Sequence, residues 1–385
     1  MKLKRKICYL TGTRADYGLM KSTLQKINKN FDLSLIVVGM HLSKAFGNTV
    51  DEIERDGFKT IKISNTLPTA DTGGGMAKAL GYELTEITKV LEKLKPDIFL
   101  VLGDRGEALI GAIACAHLDI PIAHVHGGDQ GDNWGVVDDS ARHAITKFAH
   151  IHLAASKRSA ERIRKLGEES WRIHIVGSPA IDDIMSESLF SRKFLEKKYK
   201  INLNEVLILV LQHSSSNQIK EAANQMRATM EALKEIKQQT ILIYPCSDAG
   251  SRKAIKVINQ YRKYPFFKIY KSLPRKEYLS LMKYAKVFVG NSSSGSIDTP
   301  SFKLPVVNIG IRESFRENGG NKIFVDHNKK VIVLAIKKAL FDKNFRKKIQ
   351  KCVSPYGDGR AGERIVKILK NIKIDKKLIH KKIIY

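Results

Sequence analysis

The chain has 385 residues, 43% of them apolar and 28% charged, with a formal net charge of +28. That length accommodates two domains at about 150 residues each, and the composition excludes a disordered or fibrous chain. No apolar run approaches the ~18–20 residues that span a bilayer, and the opening MKLKRKICYLTGTRADYG has too short an apolar stretch for a signal peptide, so a cytoplasmic protein is expected.

In chain order, apolar β-branched runs predict strands at residues 6–12, 33–39, 97–103, 120–126, 151–156 and 172–178. A second series follows at 206–212, 240–245, 267–272, 286–292 and 305–310. The runs are apolar throughout rather than alternating, as in parallel sheets covered on both faces. Between them, helical spacing appears at 17–29, 76–94, 105–118, 138–149, 156–167, 217–237 and 275–285. This alternation, made twice, predicts an α/β chain of two doubly wound domains, joined around residues 178–200. The four cysteines are widely spaced, without a CxxC pair, and read as reduced thiols.

The charge is lopsided. Residues 1–190 hold 25 Lys/Arg against 24 Asp/Glu, whereas 191–385 hold 42 against 15. The excess lies mostly in stretches such as KILKNIKIDKKLIHKK, which read as solvated faces, and no zinc-finger, RRM or helix-turn-helix pattern accompanies it. No nucleic-acid or membrane partner is expected.

Polar clusters follow the strand ends, where open parallel sheets bind ligands. After the first strand comes GTRADYG, in which Arg14 is either an anion contact at a helix start or a surface residue beside a capping Asp16. In VLGDRGEAL, Asp104 is either a helix cap or an acid facing a cleft. The densest cluster is HVHGGDQGDNWGVVDDSARH, from His124 to His143. Its histidines at i and i+2 point to opposite strand faces, and no HExxH, CxxC or DxDxDG spacing is present, so no metal is expected. Acid–base chemistry instead requires carboxylates held in a cleft, and Asp129 and Asp138 are the candidates. Asp138 is placed at a helix start with Arg142 one turn on as its partner. Asp132 and Asp139 read as solvated or capping, and His124 and His143 as structural. In the second half, His213 ends a strand. The stretch VGNSSSGSID sets Ser292, Ser293 and Ser294 at a helix start, where small residues admit a phosphate, with Asp298 one turn in. Arg312 and Arg316 in IRESFRENGG suit an anion as well.

In combination these loops are specific. GTRADYG, VGMH, GDR, HxHGGD, DDSxRHxITK, GSPAxD, a strand-end histidine, GNSSSG and PSFxxPVVNIGxR run in that order across residues 11–316. The chain resembles the UDP-N-acetylglucosamine 2-epimerases, in particular the hydrolysing branch of sialic-acid-type biosynthesis. The resemblance implies a GT-B architecture. It places a sugar-side Rossmann-like domain at 1–178 and a UDP-binding one at 200–355, with helices in 356–385 crossing back to the first. It implies loss of the C2 proton, anti elimination of UDP to a 2-acetamidoglucal, and hydration to N-acetylmannosamine.

Carried over position by position, Asp104, Asp129 and Asp138 match the acidic trio for proton transfer, and His213 a histidine near the departing phosphate. Arg14, Ser292, Ser293, Ser294 and Arg316 match diphosphate contacts, and Asp298 an acid on the ribose. His41 matches a sugar-side histidine, and His126 and Arg142 are placed beside the sugar. No cofactor is implied, and a homodimer is. Two departures stand out: Asp129 replaces the family's frequent Glu, and the stretch around Trp134 is longer than in relatives. Leu19 stands where the non-hydrolysing branch has a lysine. The first expectation for substrate is UDP-N-acetylglucosamine. The alternatives are a UDP- or GDP-linked 2,4-diacetamido-6-deoxy sugar, a non-hydrolysing 2-epimerase, and a GT-B glycosyltransferase.

Overall fold

The computed structural model describes residues 4–131, 136–186 and 188–384. Asp132, expected to be solvated or capping, and Trp134 of the lengthened stretch lie outside the described residues.

Seven parallel strands make the first sheet: β1 (Lys6–Thr11), β2 (Asp32–Val37), β3 (Lys59–Lys62), β4 (Ile98–Leu102), β5 (Ile122–Val125), β6 (Ile151–Ala154) and β7 (Ile173–Ile175). Their order is β3-β2-β1-β4-β5-β6-β7. Six more parallel strands make the second: β8 (Leu207–Leu211), β9 (Gln239–Ile243), β10 (Phe267–Tyr270), β11 (Val287–Gly290), β12 (Val306–Ile309) and β13 (Lys322–Val325), in the order β10-β9-β8-β11-β12-β13. The chain is thus α/β, with two Rossmann-like domains. The central strands β4 and β8 are buried at every position, because helices cover both faces. Sequence reading missed β3 (KTIK) and β13 (KIFV). Both are edge strands and only partly buried, so neither shows the apolar run of a central strand.

Each sheet has its own core. Leu24, Leu35 and Leu100 belong to the first, and Val210, Leu242 and Val289 to the second. The helix Ala361–Asn371 returns to the first domain, where Ile365 and Leu369 join the core that holds Leu24 and Ile27. The chain beyond it is pinned by polar contacts. Arg172 donates to the carbonyls of Lys377 and Leu378 at 2.8 and 2.7 Å. Lys381 donates to Ala149 O at 2.6 Å and pairs with Glu168 at 2.7 Å. Arg172 is buried, so these carbonyls replace its lost hydration.

In both sheets the strand order reverses at the middle, between β1 and β4 and between β8 and β11. Those reversals open a crevice at the carboxyl ends of the strands. The loops after β1 and β4 line one wall of the cleft between the domains, and those after β8 and β11 line the other.

Candidate active site

The cleft holds two confluent spaces of about 680 and 830 Å³ that share Arg14, Ala15, Leu19, Leu211, Ser292 and Ser293. Beyond these shared residues the smaller is lined by the apolar Ile243, Leu273 and Tyr278 and by Arg275 and Asp298. The larger is charged and includes Asp104, Arg105, Asp129, Arg142, His213 and Asp248.

Thr13 caps the helix Arg14–Asn30 in a capping box with Asp16, whose carboxylate also accepts from the backbone of Gly12 and Thr13 at 3.1 Å. This fixes the loop and frees Arg14, which reaches across to the carbonyls of Tyr244 and Lys271 in the second domain. His41 braces the same loop from behind. Its Nε2 lies 2.9 Å from Thr11 Oγ1 and its Nδ1 2.7 Å from Thr49 Oγ1. Fully buried, with both nitrogens engaged, His41 is absent from the walls of the cleft, contrary to the expected sugar-side position.

Asp104 does not cap the helix Gly106–His117, whose N-cap is Arg105; its carboxylate holds Arg142 instead. Arg142 was expected to pair with Asp138. It is fully buried, and besides Asp104 it donates to Asp139 Oδ1 at 2.9 Å and to Asp129 O at 2.7 Å. Asp139, expected to be solvated or capping, is buried and also accepts from the backbone of Gly131 at 3.1 Å. Positions three and four before Arg142 can both reach it on a helix; Asp139 takes it, because Asp138 is drawn to the second domain. There Arg312 Nη2 lies 3.4 Å from Asp138 Oδ2. Burial pushes the Asp138 carboxyl above its ordinary range, with Arg312 opposing and Asp248 reinforcing the rise.

Asp129 sits differently. Gly128 has φ +73°, and a Cβ there would meet Ser159 O at 2.2 Å, so only glycine lets the loop pass this closely over the helix Lys157–Lys165. Asp129 Oδ2 takes His126 Nδ1 at 2.9 Å and Arg316 Nη1 at 3.2 Å, and Oδ1 accepts from Ser159 at 2.6 Å. Burial alone would raise this carboxyl; His126, Arg316 and Ser159 together hold it below its usual value. His126, itself at φ +64°, engages Ser178 Oγ through Nε2 at 2.9 Å. The neighbouring His124 points the other way, to Gly103 O at 2.7 Å and Thr146 Oγ1 at 3.2 Å.

On the second wall, Gly290 takes φ +135° so that the loop after β11 can pass beside Leu211 O. Ser292, Ser293 and Ser294 follow at the cleft surface. Asp298 is fully buried and bound by both arms of Arg275, at 2.9 and 2.7 Å, while Ser294 Oγ lies 2.7 Å from Tyr278 Oη. His213 accepts from Cys246 N at 3.2 Å, and burial with Arg312 nearby pulls its pKa down to about 3, which leaves it neutral.

Sequence reasoning missed Asp248, Arg105, Arg275 and Glu313. Asp248 pairs with Arg105 across the cleft, and although burial would raise it, Arg105, Arg312 and His213 bring it down to about 2. Glu313 is buried 2.8 Å from Arg316 Nε. Asp248 stands in YPCSDAGS after β9, the strand-end position that flagged the other loops, and that signal would have found it. Among the described residues, no group of three or more His, Cys, Asp and Glu is placed to hold a metal ion, and no helix is long and apolar enough to cross a membrane.

The family model for UDP-N-acetylglucosamine 2-epimerase matches residues 24–370. A UDP-N,N'-diacetylbacillosamine 2-epimerase (hydrolyzing) of Legionella pneumophila is 38% identical over 98% of both chains. A UDP-N-acetylglucosamine 2-epimerase of Neisseria meningitidis is 34% identical over 88% of both. A solved Neisseria meningitidis UDP-GlcNAc 2-epimerase bound to UDP-GlcNAc superposes with a TM-score of 0.79 at 18% identity, covering 95% of this chain and all of that one, and so shares the fold. Two doubly wound sheets around an acid-lined cleft, and a family match over most of the length, make this chain a member of the UDP-N-acetylglucosamine 2-epimerase family.

Proposed function

We propose that the protein hydrolyses a UDP-linked 2-acetamido sugar with inversion at C2, and that its substrate is UDP-N,N'-diacetylbacillosamine, a 2,4-diacetamido-6-deoxy sugar. One observation carries the reaction: a continuous cleft with an apolar pocket at one end, a serine loop and arginines in the middle, and Asp104 and Asp129 at the other. That sequence of environments suits a uracil ring, a diphosphate and a sugar whose C2–H bond must be broken.

In this reading Tyr278 and Leu273 face the base, and Asp298, held by Arg275, faces the ribose. Ser292, Ser293 and Arg14 receive the diphosphate, and Arg316 adds positive charge nearby. Developing negative charge on the leaving diphosphate is offset by donors that are already in place, so little reorganisation accompanies elimination. His213, neutral and beside Arg312, donates a hydrogen bond to the departing phosphate. Asp138, whose carboxyl is raised by burial and faces Arg312, is assigned the general acid. Asp129 stays ionised and serves as the acceptor, with His126 oriented by it. Asp104 holds Arg142 in place against the sugar end.

The substrate rests on the relatives. The sequence resemblance placed UDP-N-acetylglucosamine first and the diacetamido sugar second, whereas the Legionella relative, more similar and matched over more of its length than the Neisseria one, supports the reverse order. The hydrolysis of UDP-N-acetylglucosamine to N-acetylmannosamine remains the second reading; the name of the Neisseria relative supports its nucleotide sugar.

The test is product identification by NMR in heavy water with a panel of UDP- and GDP-linked sugars. Free 2-epimerised diacetamido sugar with deuterium at C2, plus UDP, is expected. UDP-linked epimer at equilibrium would indicate the non-hydrolysing reaction, and activity only with a sugar acceptor other than water would indicate a glycosyltransferase.

A further inference from the structure

Hydrolysis of a nucleotide sugar has a proton balance that the site must meet. At neutral pH the substrate's diphosphate carries two negative charges. The UDP set free carries close to three, since the second pKa of a terminal phosphate is about 6. Close to one proton therefore leaves the enzyme in each turnover. Water brings hydroxide to C1, one proton goes to C2, and the proton abstracted from C2 remains on an enzyme base. Asp129, the acceptor in the reading above, is 2% exposed, and the cleft it lines is occupied by substrate and product during the reaction.

Its surroundings leave few outlets. Arg316 does not accept or pass a proton at neutral pH. The His126 branch runs to Ser178, which is buried, and no further side chain continues it among the described residues. The Ser159 branch continues. Ser159 Oγ lies 2.6 Å from Asp129 Oδ1 and 2.9 Å from Ser156 Oγ, and Ser156 Oγ lies 2.6 Å from Glu317 Oε2. Both serines are buried, whereas the Glu317 side chain is 13% exposed. The row therefore leads from the cleft carboxylate to a carboxylate that touches water.

The count of protons along this row is informative. Three short gaps separate two carboxylates, and two hydroxyls supply only two protons. With both acids ionised, one gap is empty. A proton arriving on Asp129 fills it, and all three gaps are then bridged in one direction.

We propose that Ser159, Ser156 and Glu317 form a proton outlet for Asp129, resting on the hydrolysing reading given above. Asp129 O–H passes its proton to Ser159 Oγ, Ser159 passes its own to Ser156 Oγ, and Ser156 passes its own to Glu317, which releases one to water. No heavy-atom bond changes, and the proton leaving equals the proton received. Glu317 belongs to the second domain and the serines to the first, so the outlet is complete only with the domains together. Ser156 has a structural duty as well, since it caps the helix Lys157–Lys165 by accepting from Ser159 N at 3.1 Å.

The test compares wild type with Glu317→Gln, Ser156→Ala and Ser156→Thr in dilute buffer and in concentrated imidazole, following UDP release. Glu317→Gln keeps a hydrogen-bond acceptor but takes no proton, and should lower kcat by about tenfold with KM nearly unchanged. Imidazole, which carries protons itself, should restore most of the loss. Ser156→Ala should behave likewise, and Ser156→Thr, retaining hydroxyl and cap, should approach wild type. Wild-type kcat in Glu317→Gln without imidazole overturns the outlet while leaving the reaction intact, as does a loss that imidazole does not relieve. Failure of the wild type to release UDP from any nucleotide sugar overturns the hydrolysing reading, and the outlet with it.

Discussion

Arg316, in the loop after β12, crosses to Asp129 of the first domain with Nη1 3.2 Å from Oδ2, while its Nε lies 2.8 Å from Glu313. One guanidinium thus joins the two walls of the cleft at the Asp129 carboxylate. Removing charge from Asp129 leaves Arg316 with a single carboxylate partner in a buried place. Asp129→Asn is expected to lower turnover by orders of magnitude and to destabilise the protein by about 2–3 kcal/mol. Activity assays and urea denaturation measure both. Wild-type-like turnover would remove Asp129 from the mechanism.

Asp138 faces the opposite situation. Its carboxyl is raised by burial, and its partner Arg312 is 3.4 Å away, so it makes little of the stabilising charge pairing that Asp129 makes. Asp138→Asn should lower kcat by about 10²–10⁴-fold with UDP affinity nearly intact by calorimetry. It should leave the thermal midpoint unchanged or higher. A parallel fall in stability and rate would mean that the side chain acts by holding the domains together.

In the proposed reading the ribose end rests on the Arg275–Asp298 pair, whose oxygens and nitrogens are matched at 2.7 and 2.9 Å. Substituting Arg275 by Ala leaves Asp298 buried without its counter-charge. UDP should bind at least about tenfold more weakly, or 1.4 kcal/mol. Equal affinities of wild type and variant would place the nucleoside elsewhere in the cleft.

At the C-terminal crossing, Glu168 pairs with Lys147 at 2.8 Å, Lys381 at 2.7 Å and His152 at 3.0 Å. Burial would raise its carboxyl, but these three donors bring it down from 4.5 to about 2. A carboxyl depressed on folding stabilises above its unfolded value and loses that contribution as pH falls toward its folded value. Glu168→Gln should therefore cost stability at pH 7, and the difference from wild type should shrink between pH 4.5 and about 2. Melting curves across that range decide it. A penalty independent of pH would assign the effect to packing.

Chelator treatment should leave activity unchanged, because the cleft chemistry is assigned to carboxylates and arginines. Loss of turnover restored by a divalent cation would overturn that assignment.

Much of the fold was legible along the chain. Apolar runs marked eleven strands because a strand covered on both faces excludes polar side chains at nearly every position. The edge strands β3 and β13 escaped because half-exposed backbone tolerates lysine. The loops of the site were legible for a related reason. Polar and glycine-rich residues collect where strands end, and in a doubly wound sheet those ends meet the ligand.

The tertiary structure decided the partners. Arg142 lies one turn after Asp138 in the chain, yet it binds Asp104 and Asp139, and Asp138 instead faces Arg312 from the other domain. His41 has the local sequence of a site loop but is turned inward onto two threonines. Asp248 and Arg105 meet across the cleft from positions 143 apart. Ion pairing and pKa depend on separation and burial in space, and neither is encoded in local spacing. The sequence by itself therefore determined which residues line the strand ends. Only the packing of the two domains determined which carboxyl is lowered by its partners and which is raised by burial.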